Sequence, residues 1–315
     1  MCTATPSYTI HARDHHFGWS NRLEPVRTVA PGDRVQFRCR DASDGQITPV
    51  STAADLARND PDRVNPVTGP IRIDGAEPGD ILKIEIDGFT PSGFGWTANI
   101  PGFGLLADQF PDPALHLWHY QTGTDAPMAF GDMARVPLRP FAGTLGVAPA
   151  ANGCHSIIPP RRVGGNLDIR DLTAGTTLYL PIEVSGALFS IGDTHAAQGD
   201  GEVCGTAIES RMDVTLRFDL LKATPLAFPR FTTPAPVTGH VDSNGYEVTT
   251  GIAPDLMEAA RSAVSGMIDL LGRLHGMGAI EAYMLCSVCG DLRISEIVDA
   301  PNWVVAFYMP RSVFN

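Results

Sequence analysis

This 315-residue chain has no basic excess, no long apolar run and no repeated cysteine pair. Its 23 Lys+Arg stand against 35 Asp+Glu, a net charge of −12. Phosphate binding needs a basic footprint, so the balance argues against a nucleic-acid partner. It argues equally against docking on an anionic membrane surface. No stretch approaches the roughly 18 apolar residues of a membrane-spanning helix. The opening residues Met1–Pro6 lack the charged and apolar regions of a secretory signal, so a cytoplasmic location is expected. The six cysteines are scattered, unlike a secreted disulfide framework, and are expected to be reduced. Cys286-Ser-Val-Cys289 is formally a C-x-x-C pair, but the second pair that a structural zinc site would want is missing. H-E-x-x-H, G-x-S-x-G and P-loop patterns are also missing. Ser156 and Ser190 have no activating base beside them in the sequence.

What is present is a core-forming chain rich in turns. Hydrophobic residues make up 43% and charged residues 18%, the reverse of a disordered composition. With 32 Gly and 26 Pro, a mostly helical protein is disfavoured. Period-two alternation predicts strands at 35–39, 81–86 and 213–220, and 69–73, 177–184 and 303–308 read as further strands. A short helical turn is expected over 53–57, and long loops with few strand residues over the aromatic-rich stretch 88–125. One long helix is predicted over 256–274, with Asp255 at its start and Gly276 at its end. A second helix is expected over 280–285. The strands come in runs, not each followed by a helix, which disfavours a parallel α/β fold. The expectation is a mainly β architecture with a helical excursion near 253–287. The chain is read as one unit with possible parts at 1–140 (β), 141–222 (β core with the site motifs) and 223–315 (α+β).

The densest polar segment is Gly192-Asp-Thr-His-Ala-Ala-Gln-Gly-Asp-Gly-Glu202. Apolar stretches on both sides anchor it, and its glycines allow close backbone approach to a ligand. Asp193 and His195 stand two apart, so an extended backbone puts both on one face. A carboxylate beside an imidazole suits a divalent metal or an oriented general base. A plain polar turn is the competing reading. Asp168, after Gly164-Gly-Asn166, is a second candidate, with an Arg–Asp pair stabilising a turn as its alternative. Asp41 and Gln46 form a third, with local turn bonding as theirs.

Several segments together resemble the acetamidase/formamidase family. The long match is Gly186-Ala-Leu-Phe-Ser-Ile-Gly-Asp-Thr-His-Ala-Ala-Gln-Gly-Asp-Gly-Glu-Val-Cys-Gly-Thr-Ala-Ile-Glu209. Ile158-Pro-Pro-Arg161 with Gly164-Gly-Asn-Leu-Asp168, Asn65-Pro-Val-Thr-Gly-Pro70 and Gly75-Ala-Glu-Pro-Gly-Asp80 are similar to further family motifs. The resemblance implies β-sandwich and barrel-like sheets with an α+β insert. It implies hydrolysis of a small linear amide such as formamide or acetamide, releasing ammonia. It also implies a divalent metal, zinc in the first place and calcium in the second. Asp41, Asp168, Asp193 and His195 are the expected metal ligands, with Asp193, His195 and Glu202 catalytic. Glu202 would move the proton between water and nitrogen. Glu209 is a weaker candidate. The backbone of Gly199-Asp200-Gly201, with Gln46, is expected to face substrate or oxyanion. A homo-oligomer is expected from the resemblance alone. Departures at Ile157, Leu167 and the aromatic stretch 89–120 bear on substrate size. A carbamate, urea-like or bulkier amide substrate is one alternative; a metal- or ligand-binding β-protein without catalysis is another.

Overall fold

The computed structural model describes residues 6–124, 126–234, 244–297 and 300–314. Two six-stranded sheets form its centre. The first runs in the order Tyr8–Ile10, Arg34–Arg38, Met212–Leu221, Ile81–Pro91, Thr177–Pro181 and Arg230–Thr232. Met212–Leu221 buries Val214, Leu216 and Phe218 and turns Asp213, Thr215 and Arg217 outward. That is the alternation a half-buried strand requires. The second sheet runs Gly164–Asn166, Phe141–Gly146, Phe189–His195, Val67–Ile73 and His15–His16, with Arg27–Val29 also paired to Val67–Ile73. The inner faces share one core, in which Phe37, Phe189 and Phe218 meet edge to face with centroids 5.1 to 6.2 Å apart. The fold is therefore mainly β, as expected.

The C-terminal part adds a three-stranded sheet, in the order Tyr246–Ala253, Trp303–Pro310 and Asp291–Glu296, and two helices. Helix α1 spans Leu256–His275. The Asp255 side chain accepts from the Glu258 N–H, and Gly276 ends the helix in the left-handed conformation, φ 64°. Helix α2 spans Ala279–Cys289, longer than predicted. Ala282 through Cys289 are all buried, so the sequence has no polar face to mark its end. The described cysteines are free. Among the described residues no helix is long and apolar enough to cross a membrane.

The stretch 88–125 departs from expectation. Phe94–Asn99 and Ala114–His119 form an antiparallel pair, with Phe94 opposite His119 and Asn99 opposite Ala114. Residues 88–91 prolong the strand Ile81–Pro91. Glycines and prolines in the turns hid strands that are held by packing. Trp118 and Phe130 lie in the C-terminal core, tilted against each other, with His116 edge-on to Trp118.

Candidate active site

The strand Phe189–His195 ends in the site. It lies between Phe141–Gly146 and Val67–Ile73 and is buried along its whole length. Asp193 Oδ1 lies 3.3 Å from His195 Nε2. The pair meets as expected, although Asp193 has φ 53° and is not plainly extended. Asp168 arrives from another strand pair: the Leu167 and Asp168 N–H groups both donate to the Gly143 carbonyl. Glu209 is placed by its backbone, which bridges Trp96 on one side and His195 on the other. Its Oε2 stands 3.1 Å from His195 Nε2. Glu202 completes the group. One ligand atom each from Asp168, Asp193 and His195 lie within 4.8 Å of one another, and so do those of His195, Glu202 and Glu209.

Three of these acids sit in strained backbone. Asp168 (φ 49°), Asp193 (φ 53°) and Glu202 (φ 41°) are among eight non-glycine residues with positive φ in the described part of the chain. Asp tolerates this conformation; Glu does so rarely. Such strain persists only where the surroundings enforce it, and it gathers at functional sites.

The imidazole is oriented from behind. Gln198 Nε2 donates to the Asp168 carbonyl oxygen at 2.8 Å, which leaves its Oε1 to accept from His195 Nδ1 at 3.0 Å. Nδ1 therefore carries a proton, and Nε2 is the atom turned to the carboxylates. Asp193 Oδ2 has Thr144 Oγ1 at 3.3 Å and Asn65 Nδ2 at 3.5 Å. Asn166 Nδ2 donates to Asp168 Oδ2 at 2.9 Å.

Electrostatically the cluster is costly. Burial, then the neighbouring Asp193, pushes Asp168 up to about 7. Burial also raises Glu209 and raises Glu202 well above the usual carboxyl range, with Asp168 adding to the latter. For His195 burial opposes protonation, but Glu209 and Asp193 outweigh it and hold the ring well above its ordinary value. Four carboxyls around one imidazole need protons or a cation. Asp168 Oδ1 and Glu209 Oε2 are buried with no hydrogen-bond partner. Between the ligands lies the bare face of Gly143. A Cβ there would stand 2.4 Å from Asp168 Oδ1, 3.0 Å from Asp193 Oδ2 and 3.0 Å from His195 Cε1. An orphaned Asp168 oxygen turned to a space that one methyl would fill, beside Asp193 and His195, fits a bound cation.

The cluster floors a cavity of about 310 Å³ lined by Asp168, Asp193, Glu202 and Glu209. One wall is the segment 42–65, which contributes Ala42, Ser43, Ile47, Leu56 and Asn65; the other contributes Trp96, Ile100, Phe103 and Ile158.

Other expected residues lie elsewhere. Asp41 is not a fifth carboxyl of the cluster. Its carboxylate accepts from Ser43 and Gly45 in its own turn and from Trp96 Nε1 at 3.1 Å, so it braces the cavity wall. Gln46 is spent on Asp60 and Arg63, which fixes the same wall. Gly199, Asp200 and Gly201 do not line the cavity. The Gly199 N–H donates to Ser287 O, and a Cβ on Gly199 would stand 1.8 Å from Gly290 O. These glycines serve close packing against α2, not an oxyanion. Ser190 does have a base beside it, since its Oγ lies 2.9 Å from His16 Nε2. Both are outside the cavity lining and Ser190 is fully buried, so no substrate reaches that pair. Residues that the sequence did not single out are Gly143, Thr144, Asn65 and Asn166. Only the glycine–asparagine motifs around the last two offered a signal.

Comparison with known proteins now decides the family. The Acetamidase/Formamidase family model matches residues 4–157 and 150–315. The chain belongs to this family. It is an amidohydrolase of the class acting on linear amide C–N bonds, which sets aside the reading as a purely binding protein. An acetamidase of Mycolicibacterium smegmatis is 31% identical over 77% of this chain and 75% of its own. The crystal structure of an acetamidase from Bacillus halodurans is 32% identical, covers 96% of both chains and superposes with a TM-score of 0.68. A gamma lactamase from Delftia acidovorans, 23% identical, shares the fold with a TM-score of 0.86 over 98% of this chain and 94% of its own.

Proposed function

We propose that this family member hydrolyses an uncharged amide to a carboxylate and ammonia, with a divalent cation held by Asp168, Asp193 and His195. The observation that carries the reading is the convergence of four carboxyls and one imidazole on the floor of one cavity. The imidazole favours a borderline ion such as zinc over calcium, which prefers oxygen alone. When bound, such an ion supplies Lewis acidity toward a carbonyl oxygen and toward water.

The chain's own groups then divide the remaining work. The oxygen of water forms a bond to the carbonyl carbon, the C–N bond breaks, and nitrogen leaves with a proton that came from water. Glu202, facing the cavity beside the ligands, takes that proton and delivers it to nitrogen. Asn65 also lines the cavity, and its contact to Asp193 is long, which leaves its amide to donate to the substrate oxygen. Gln198 keeps the His195 ring in the tautomer that points Nε2 inward.

Purified protein is expected to release ammonia and carboxylate in equal amounts from uncharged primary amides. A folded preparation that releases none from any amide would contradict the reading. Gly143→Ala tests the cation seat. Its backbone lies outside the left-handed region, so the methyl acts by crowding alone. Metal affinity and turnover are expected to fall together by about tenfold or more, measured by competition with a chromophoric chelator and by ammonia release.

A further inference from the structure

The cavity is much larger than the smallest amides need, and its outer part is apolar. At about 30 Å³ per water in the liquid, the cavity of about 310 Å³ has room for roughly ten non-hydrogen atoms. Acetamide has four. Above the acid floor, the walls present Ile47, Leu56, Trp96, Ile100, Phe103 and Ile158. No lining residue is Lys, Arg or His, so the walls offer nothing that pairs with an anionic acyl group.

Two of the rings are held in place. Trp96 exchanges both backbone hydrogen bonds with Glu209, at 2.9 and 2.8 Å, and its indole N–H is tied to Asp41. The indole is therefore fixed relative to Glu209, its partner across that bridge. Phe103 lies on the bare face of Gly205, where a Cβ would come within 2.5 Å of the ring. Phe103 and Ile158, 49% and 40% exposed, form the mouth. A preformed apolar wall of this kind gains about fourfold in binding for each methylene it buries. The gain raises kcat/KM where the acyl group is still bound in the transition state.

We propose that the site selects neutral primary amides with an apolar acyl group, branched-alkyl or aryl, over formamide and acetamide. The inference rests on the amide-hydrolysis reading above and specifies its substrate class. Phe103 and Ile158 set the specificity.

The test is kcat/KM from ammonia release for acetamide, isobutyramide, phenylacetamide and the anionic succinamate, with the metal-loaded full chain. The expected order is phenylacetamide above isobutyramide above acetamide, with at least tenfold between the extremes and succinamate poorest. Phe103→Ala and Ile158→Ala should each shrink the phenylacetamide-to-acetamide ratio severalfold. Because both side chains are partly exposed, their loss leaves the buried cores intact. Acetamide used as well as phenylacetamide, or a ratio that neither variant moves, would overturn the inference while amide hydrolysis stands. No ammonia from any of the four would overturn both.

Discussion

Glu202→Gln is expected to lower kcat for amide hydrolysis by about 10²–10⁴-fold, the usual worth of a positioned proton-transfer group. Glutamine keeps the shape and the hydrogen-bonding capacity but cannot carry a proton from water to nitrogen. The substituted residue must still adopt φ 41°, which Gln bears as poorly as Glu, so the backbone strain is unchanged. Two roles are open to Glu202 by distance, since it lies within ligand reach of His195 and Glu209. Metal content separates them. A Glu202→Gln variant that keeps its metal and loses turnover has lost a proton carrier; one that loses both has lost a ligand. The account expects the first, checked by elemental analysis and steady-state kinetics on the same preparation.

The second large effect concerns stability. Arg170 follows Asp168 by two residues and is 4% exposed. Its guanidinium grips Asp291 through both terminal nitrogens, one of them at 2.9 Å, and Asp291 is fully buried. Its Nε lies 3.2 Å from Asp200, and Arg293 reaches Asp291 at 3.2 Å. The pair ties the loop that carries Asp168 to the first residue of the strand Asp291–Glu296. Removing Arg170 leaves the buried Asp291 carboxylate with the partly exposed Arg293 as its charged partner; a buried charge left wholly unpaired costs about 3–5 kcal/mol. Arg170→Ala should therefore lower unfolding free energy by somewhat less than that amount in a denaturant titration, because Arg293 stays on Asp291. An Arg170→Met/Asp291→Leu double variant should recover much of the loss, because the charges it leaves, Arg293 and Asp200, are 40% and 42% exposed and can turn to water. A single variant as stable as the parent would show that the pair does not join the two parts.

Much of the fold was legible where one rule acted alone. Met212–Leu221 alternates because it has one buried face, and α1 carries its own start at Asp255 and stop at Gly276. The hairpin Phe94–Asn99/Ala114–His119 was not legible, because Gly and Pro dominate its surroundings and its support comes from distant residues. The site divides in the same way. Asp193 and His195 are two residues apart, so local geometry already paired them. Asp168 and Glu202 stood out in their own polar segments, but they and Glu209 join through sheet pairing and a strained turn, and only the family resemblance brought them to one site. Asp41 and Gly199–Gly201 show the opposite error. An acid in a turn and a glycine in a loop read alike whether they serve a ligand or their own backbone, and here the turn and the packing against Gly290 claim them.

The central claim is that the Asp168–Asp193–His195 cluster holds a divalent cation on which amide hydrolysis depends. It is tested most directly on one purified sample, by metal content and ammonia release before chelation, after exhaustive chelation and after restoring zinc. The account predicts about one ion per chain, loss of turnover with the ion and its return with zinc. Full turnover in protein shown by elemental analysis to be free of metal would contradict it.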